Sequence, residues 1–436
     1  SLGLMPGNIV FSDYTNEELY KEGAKRGAID PCFPSKIGIP HIHNLLYKIH
    51  KKKKMDYIVF PIIDTMPSDF IYAQQHHACP TVTATAEAVK AAFVKEGDIF
   101  KEFGVEYVCT YLYMTEPKLC AKQMFDEWGP KLGLSEEENN KAVEEGFKAL
   151  DKFFVNMRKK AREAIDMLEK ENKIGIVVLA RPYHNDPGLN HEILEEFQKL
   201  GYPVLNQDAL PIDEDILERL FGDEVKAGII KGPMDVSDVW KNSYSENTTR
   251  KVWAAKYTAR HPNLVALELS SFKCGHDAPI YTVVEEIVSN GGTPYFSFKD
   301  IDENKPTGSI KIRVETIHYF LTRYREDMIA RKKKELTIEE KLKEFEMKIR
   351  KQYELQEKLD KIHESQGTGK YYGSLNGNIV DIDMSKVSVT KGNGSKQPNG
   401  NGQTNEIENS NGNVLANGNG IIDIEEKLGK SAEQSA

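Results

Sequence analysis

The chain has 436 residues, with 58 Lys+Arg against 67 Asp+Glu for a formal net charge of -9, and only 5 cysteines. That balance lacks the basic footprint of non-specific nucleic-acid binding, and so few thiols in so long a chain do not make a disulfide framework. No apolar stretch approaches the roughly 20 residues that span a bilayer, and "SLGLMPGNIV" has neither the basic nor the apolar region of a signal peptide, so a reducing cytoplasmic setting is expected, without membrane or nucleic-acid partners.

The first part, residues 1 to about 170, alternates strand-like and helix-like runs and ends in long charged helices over 134–171. In "DPCFPSKIGIPHIHNLLYKIH", Cys32 stands just ahead of Pro34, and Ile42, Leu45, Leu46 and Ile49 then share a helical face. Lys51 to Lys54 end that helix and read as solvated C-terminal charge. His41 and His43 are two residues apart, so on a helix they face different ways, which favours structural roles. After the apolar run "DYIVFPII" comes "HHACPTVTATAEAVKAAF", with Cys79 directly before Pro80 and Val82, Ala86, Val89 and Phe93 at helical spacing. His76 and His77 precede it in a loop and carry little signal. Cys109, in the aromatic run "VEYVCTYLYM", and Cys120, on the helix-like "EPKLCAKQMF", read as structural.

The second part, about 171–325, opens on the buried strand "KIGIVVLARPYH". A helix over "GLNHEILEEFQKLG" presents Leu189, Ile193, Phe197 and Leu200 on one face, and "YPVL" is the next strand. This strand–helix–strand unit implies a parallel sheet and an α/β fold. Arg181, Tyr183, His184, Asn185 and Asp186 follow the first strand, where such folds present ligand-binding groups. Arg181 suits bidentate contact with phosphate or carboxylate; His184 suits acid–base work or ligation; Asp186 suits a turn or cap.

"NLVALELSSF" is a further buried strand, and "SSFKCGHDAPIYTVVEEI" places Cys274 on the loop to the next helix. Asp277 is the expected N-cap, with Ile280, Val283, Val284, Ile287 and Val288 on the buried face. Lys273 and the helix N-terminus are expected to lower the Cys274 thiol below its free value of about 8.5, preparing a nucleophile or a metal ligand. The competing reading is a small buried hydrophobe. Cys32, Cys79 and Cys274 share one setting, a thiol beside a proline at a helix start, which suits an anionic, thiolate-bound iron–sulfur cluster.

Residues 326–365 are charged throughout, with Ile338, Leu342, Phe345 and Ile349 spaced by four, three and four, so one exposed amphipathic helix is expected, suited to pairing and hence to a homodimer. Residues 366–436 are rich in Asn, Gly, Ser and Gln and are expected to lack order, because they bury too little apolar area to offset ordering entropy. Two islands within them, "GNIVDID" (377–383) and "GNGIIDIEE" (418–426), read as chance similarity rather than docking peptides. The chain has no dinucleotide fingerprint, no phosphate-binding P-loop, no C-x-x-C pair, no H-E-x-x-H and no G-x-S-x-G.

Together, "PCFPSK", "ACPTVTAT", "ARPYHNDPGLNHEIL" and "VALELSSFKCGHDAP" resemble the 2-hydroxyacyl-CoA dehydratase and benzoyl-CoA reductase superfamily, and more closely the dehydratase-related region fused to CoA-enzyme activases. "YSENTTRKVWAAKYTARHPNLVALE" and "YFSFKDIDENKPTGSIKIRVETIHYFL" extend the resemblance, which covers about residues 8–330. It implies two Rossmann-like α/β domains with a [4Fe-4S] cluster between them, held by three cysteines that map onto Cys32, Cys79 and Cys274, with one iron open. It also implies an ATP-driven activase as electron donor, in trans or as a missing fused domain, and an acyl-CoA or small-molecule substrate. The expected activity is radical dehydration or low-potential reduction. The alternative is a non-enzymatic electron-transfer or regulatory module of such a system, and a third reading is a structural zinc or apo protein.

His276, with Asp277, His184 and Tyr183, is the candidate set for proton transfer, and Lys273 and Arg181 are candidates beside the cluster. Five cysteines are too few for two three-cysteine cubanes, so a double-cubane cluster is disfavoured unless two chains share one. The first strand and helix of a doubly wound half are expected to be missing before "SLGLMPGNIVFSDYTNEELY". Deleting residues 370–436 is expected to leave thermal stability and cluster content unchanged, which paired melting curves and iron analyses of the full and shortened chains would check.

Overall fold

Short β-branched and aromatic runs set the first part of the structure, a computed structural model that describes residues 3–24, 32–271, 273–301, 307–366, 371–375 and 378–382. The chain is mixed α/β, with small parallel sheets and more helix than strand. It divides into two units, Ser1–Lys343 and Glu344–Ala436. In the first unit, β1 (Tyr57–Val59), β2 (Ile62–Thr65), β3 (Glu106–Val108) and β4 (Tyr111–Tyr113) form two parallel ladders, β1 with β3 and β2 with β4. The helices Phe33–Asn44 and Pro80–Val94 close over them, burying Ile39, Ile42, Ile58, Val89 and Phe93 in one core. Cys109 packs at the edge of that core, and Cys120 is buried on the helix Pro117–Leu132.

The uninterrupted apolar stretches "GIVVL" and "LVALEL" become β5 (Gly175–Leu179) and, after β6 (Val204–Asn206), β7 (Leu264–Leu269). With β8 (Tyr295–Phe298) they make a four-stranded parallel sheet in the order β6-β5-β7-β8. Every residue of β5 and β7 is buried, as expected for central strands covered on both faces. Alternate residues serve two cores: Val177 and Leu179 pack with Ile165, Trp253 and Tyr257, while Ile176 and Val178 pack with Phe197, Leu267 and Leu321. From β5 the chain moves to β6 on one side and then returns to β7 on the other. The winding therefore reverses between β5 and β7, and the carboxyl ends of those two strands border the crevice where such sheets bind ligands.

The helix expected over "GLNHEILEEFQKLG" is broken. Two short pieces, Pro187–Asn190 and Ile193–Lys199, are separated by His191 at φ 54 and Glu192 at φ 59. A left-handed conformation at two non-glycine residues is costly and needs support from its surroundings. The His191 ring lies stacked on Phe33, with centroids 6.5 Å apart. Nearby, Thr15 Oγ1 donates to Asp186 Oδ2 at 2.6 Å, and a Cβ at Gly188 would fall 2.2 Å from the Thr15 carbonyl oxygen. These contacts join the N-terminal segment to the loop that follows β5.

The long helix is Thr307–Gln366, beginning well before the expected residue 326, because Ile310, Val314, Leu321 and Met328 pack under the second sheet. In the second unit, β9 (Tyr371–Leu375) and β10 (Asn378–Ile382) pair antiparallel inside the stretch expected to lack order. Residues 383–436, with the second island at 418–426, lie outside the described residues.

Candidate functional site

Arg181 leaves the end of β5, and Ser270 leaves the end of β7. Their loops meet over a buried carboxylate. Asp277 is 0% exposed and Arg181 is 4% exposed, and the guanidinium donates from Nε to Asp277 Oδ1 at 2.9 Å, with Nη2 2.7 Å from the same oxygen. Arg181 Nη1 donates to Thr248 Oγ1 at 3.1 Å. Lys251, on the helix Glu246–Arg260, places Nζ 3.1 Å from Asp277 Oδ1 and 2.7 Å from Glu268 Oε1, the one carboxylate inside β7. Ser270 Oγ donates to Asp277 Oδ2, and the Tyr281 hydroxyl lies 2.8 Å from Ser270 Oγ. Two cations and two anions thus lose water together, the arrangement that makes buried charge tolerable. Burial pushes the Asp277 carboxyl up, but the charges of Lys251 and Arg181 and the Ser270 hydroxyl outweigh it and hold the group well below the carboxylate range.

This network corrects two expectations. Asp277 makes no side-chain cap to the helix that follows, because its oxygens are taken by Arg181, Lys251 and Ser270. Arg181 is engaged by Asp277 and Thr248 rather than presented to a ligand phosphate or carboxylate.

Cys274 sits in a tight turn: its N–H donates to the Ser271 carbonyl at 2.8 Å, and its carbonyl accepts from Asp277 and Ala278 at 3.3 and 3.1 Å. The thiol is not lowered as expected. Burial and the Asp277 charge push it up, against the Arg181 charge and the nearby backbone N–H groups of Asp277 and His276. Lys273, expected to be the activating cation, is exposed to solvent, and Arg181 is the cation that acts on this thiol.

Cys32 and Cys79 occupy the residues directly before the helices Phe33–Asn44 and Pro80–Val94, each with a proline in the first turn. Two chains of contact link them to Cys274. Phe33 packs with Leu189 and Tyr183, and the Tyr183 phenol is pushed up by burial, by the Cys274 and Asp277 charges and by Cys32. On the other side, His77 donates its N–H to the Tyr244 carbonyl and accepts from the Glu246 N–H, and the Tyr244 ring meets His276 edge-on at 5.9 Å. His276 is half-buried, its imidazole pushed down by burial and by Arg181. Among the described residues, no three His, Cys, Asp or Glu side chains are grouped to hold a single metal ion.

His184 is buried against Tyr183, with its Nδ1 unpartnered, and burial drives its pKa down to about 3, so it is neutral at ordinary pH. Asn185 is exposed, and Asp186 caps Pro187–Asn190 by accepting from the Gly188 N–H at 2.8 Å. His41 lies between Ser12 and Thr15 at 2.7 and 3.1 Å, and His43 stacks on Tyr47. His76 and His77 stand beside Glu246 and Asp64 at 3.4 and 3.3 Å. Burial raises the thiols of Cys109, to about 11, and of Cys120.

The residues missed from sequence are Thr248, Lys251, Glu268, Ser270 and Tyr281. One signal was available: a lone Glu inside "LVALEL" must find a cation if the strand is buried on both faces.

Residues 1–210 match a family described as a CoA enzyme activase uncharacterised domain (DUF2229). The matched segment carries Cys32, Cys79, Arg181, Tyr183 and His184, and stops before Cys274. No curated protein matches the chain. Among the described residues, no helix is long and apolar enough to cross a membrane.

Asp277→Asn removes the anion shared by two buried cations and is expected to cost about 3–5 kcal/mol in urea unfolding near neutral pH. Because the folded pKa of Asp277 is depressed, its contribution is complete above the unfolded carboxyl value of about 3.9 and is lost as pH falls through the lower folded value. The gap between parent and variant should therefore hold down to about pH 4 and narrow only in stronger acid.

Proposed function

We propose that the chain is an iron–sulfur protein of the 2-hydroxyacyl-CoA dehydratase type, in which two Rossmann-like halves hold one [4Fe-4S] cluster through Cys32, Cys79 and Cys274. The observation that carries this reading is that Cys32 and Cys79 each stand at a helix start and Cys274 in the turn after β7, joined by the Phe33–Tyr183 packing and by the His77–Tyr244–His276 contacts, with the buried Arg181 network beneath the Cys274 turn. Amide donors and buried positive charge are what an anionic thiolate cluster requires. Burial that raises a free thiol is no obstacle, because iron ligation deprotonates cysteine outright. Cubane thiolates each bind a different iron, so a cage for one ion is not the arrangement needed.

When bound, such a cluster supplies one-electron chemistry and an open iron site for a hydroxyl or carbonyl oxygen. The chain's own residues divide the remaining work. The Arg181–Asp277–Lys251 network fixes the Cys274 loop. Asp277, ionised and fully paired, is a positioning residue, and neutral, buried His184 supports Tyr183. Tyr183 keeps its proton and can donate it, and half-buried His276 is the group placed to move a proton between solvent and the crevice. An ATP-dependent activase is the proposed reductant, and an acyl-CoA or a small molecule the proposed substrate. The match of residues 1–210 to a CoA enzyme activase domain favours a second reading, an electron-transfer or regulatory module without its own substrate.

Anaerobic reconstitution followed by iron and acid-labile sulfide analysis tests the cluster. About four irons per chain are expected, with large losses in Cys32→Ser, Cys79→Ser and Cys274→Ser and none in Cys109→Ser or Cys120→Ser. Equal loading across all five variants would sink the assignment. His276→Gln should keep loading and reduction but slow reoxidation of the reduced protein by acyl-CoA candidates at least tenfold. Reoxidation that no substrate accelerates would favour the electron-transfer module.

A further inference from the structure

The helix Thr307–Gln366 changes character along its length. As far as Met328 one apolar face, Ile310, Val314, Leu321 and Met328, is buried against the four-stranded sheet. Beyond that point the large side chains stand in water: Ile338, Leu342, Phe345 and Ile349 are 50%, 58%, 58% and 37% exposed. Their spacing of four, three and four makes them successive d, a, d and a positions of a heptad seam, with Gln352 at the next d position. A row of large apolar groups along an exposed helix marks an interaction surface, and a charged helix gains most of its stability from packing such a face.

The flanking charges say what covers it. The g positions are Lys334, Lys341 and Lys348, and the e positions are Glu339, Glu346 and, at the end of the seam, Tyr353. In a parallel pair in register, each g residue faces the e residue of the following heptad on the other helix. Lys334 then meets the partner's Glu339, and Lys341 meets the partner's Glu346, each pair occurring twice by symmetry. In an antiparallel pair g faces g and e faces e, which sets Lys against Lys and Glu against Glu. We propose that a second copy of this chain docks along Ile338–Ile349, forming a parallel, in-register two-stranded coiled coil. Gln352 is the polar seam residue that holds the register, at some cost in stability.

Sedimentation velocity of the full chain should give a dimer that Leu342→Glu combined with Phe345→Glu converts to monomer. The body's melting curve should not move, because the substituted positions lie outside its cores; it serves as the control for folding. Lys341→Glu should raise the dimer dissociation constant on the order of tenfold, and adding Glu346→Lys should restore it. Ile338→Cys should form an intermolecular disulfide with its own copy under mild oxidant, above the background of the parent chain, since position 338 meets itself only in the parallel, in-register arrangement. A full chain that stays monomeric, a dimer that survives the double Glu substitution, or an Ile338→Cys dimer that fails to cross-link would overturn the proposal. A monomer whose seam is protected from hydrogen exchange would assign the face to another part of the same chain.

Discussion

Four charges at zero to 4% exposure, Arg181, Lys251, Glu268 and Asp277, set the terms for the centre of this molecule. None is tolerable alone in so dry an environment, and together they leave little freedom to the parts that carry them. Arg181 comes from the end of β5, Glu268 from inside β7, Asp277 from the loop after β7, and Lys251 from the helix packed across both strands. The network therefore ties the two central strands, one helix and one loop into a fixed relation. The Cys274 turn, closed by its own backbone hydrogen bonds to Ser271, Asp277 and Ala278, is anchored to the sheet by this arrangement.

Polar side chains continue the same logic outward. Ser270 takes the second Asp277 oxygen and is itself met by the Tyr281 hydroxyl, and Thr248 takes the third guanidinium nitrogen on the other side. The helix Glu246–Arg260 is buried along nearly its whole length although its sequence is polar, because its Glu246 and Arg250 pair with each other and its Lys256 pairs with Asp238. The segment before it hydrogen-bonds to the loop leading into Cys79, so the first and second parts of the chain meet through backbone as well as side chains.

Much of the scaffold was legible in sequence. Continuous apolar runs marked β5 and β7, prolines after Cys32 and Cys79 marked two helix starts, and the placement of Arg181 and Cys274 at strand ends followed from the logic of parallel sheets. What pattern reading could not supply was long-range pairing. Asp277 reads locally as a cap, and only the fold brings it to Lys251, 26 positions earlier in "ENTTRKVW". The direction of the Cys274 shift was misread for the same reason: Lys273 is adjacent in sequence, whereas burial is a property of the assembled loops. The break at His191 and Glu192 was hidden too, since the helical spacing of Leu189, Ile193 and Phe197 runs straight through it.

The sheet order bears on how this protein divides. The family match stops at residue 210, after β6, yet β5 is hydrogen-bonded on its other side to β7, which begins at Leu264. A fragment cut at that boundary would carry β5 and β6 as a two-stranded ribbon with the open edge of β5, buried along every residue in the whole chain, presented to solvent. Such an edge recruits other strands, and two strands alone seldom persist in water. The boundary that sequence similarity draws is therefore not a boundary at which the polypeptide can be parted: the matched segment borrows its fold from the residues beyond it.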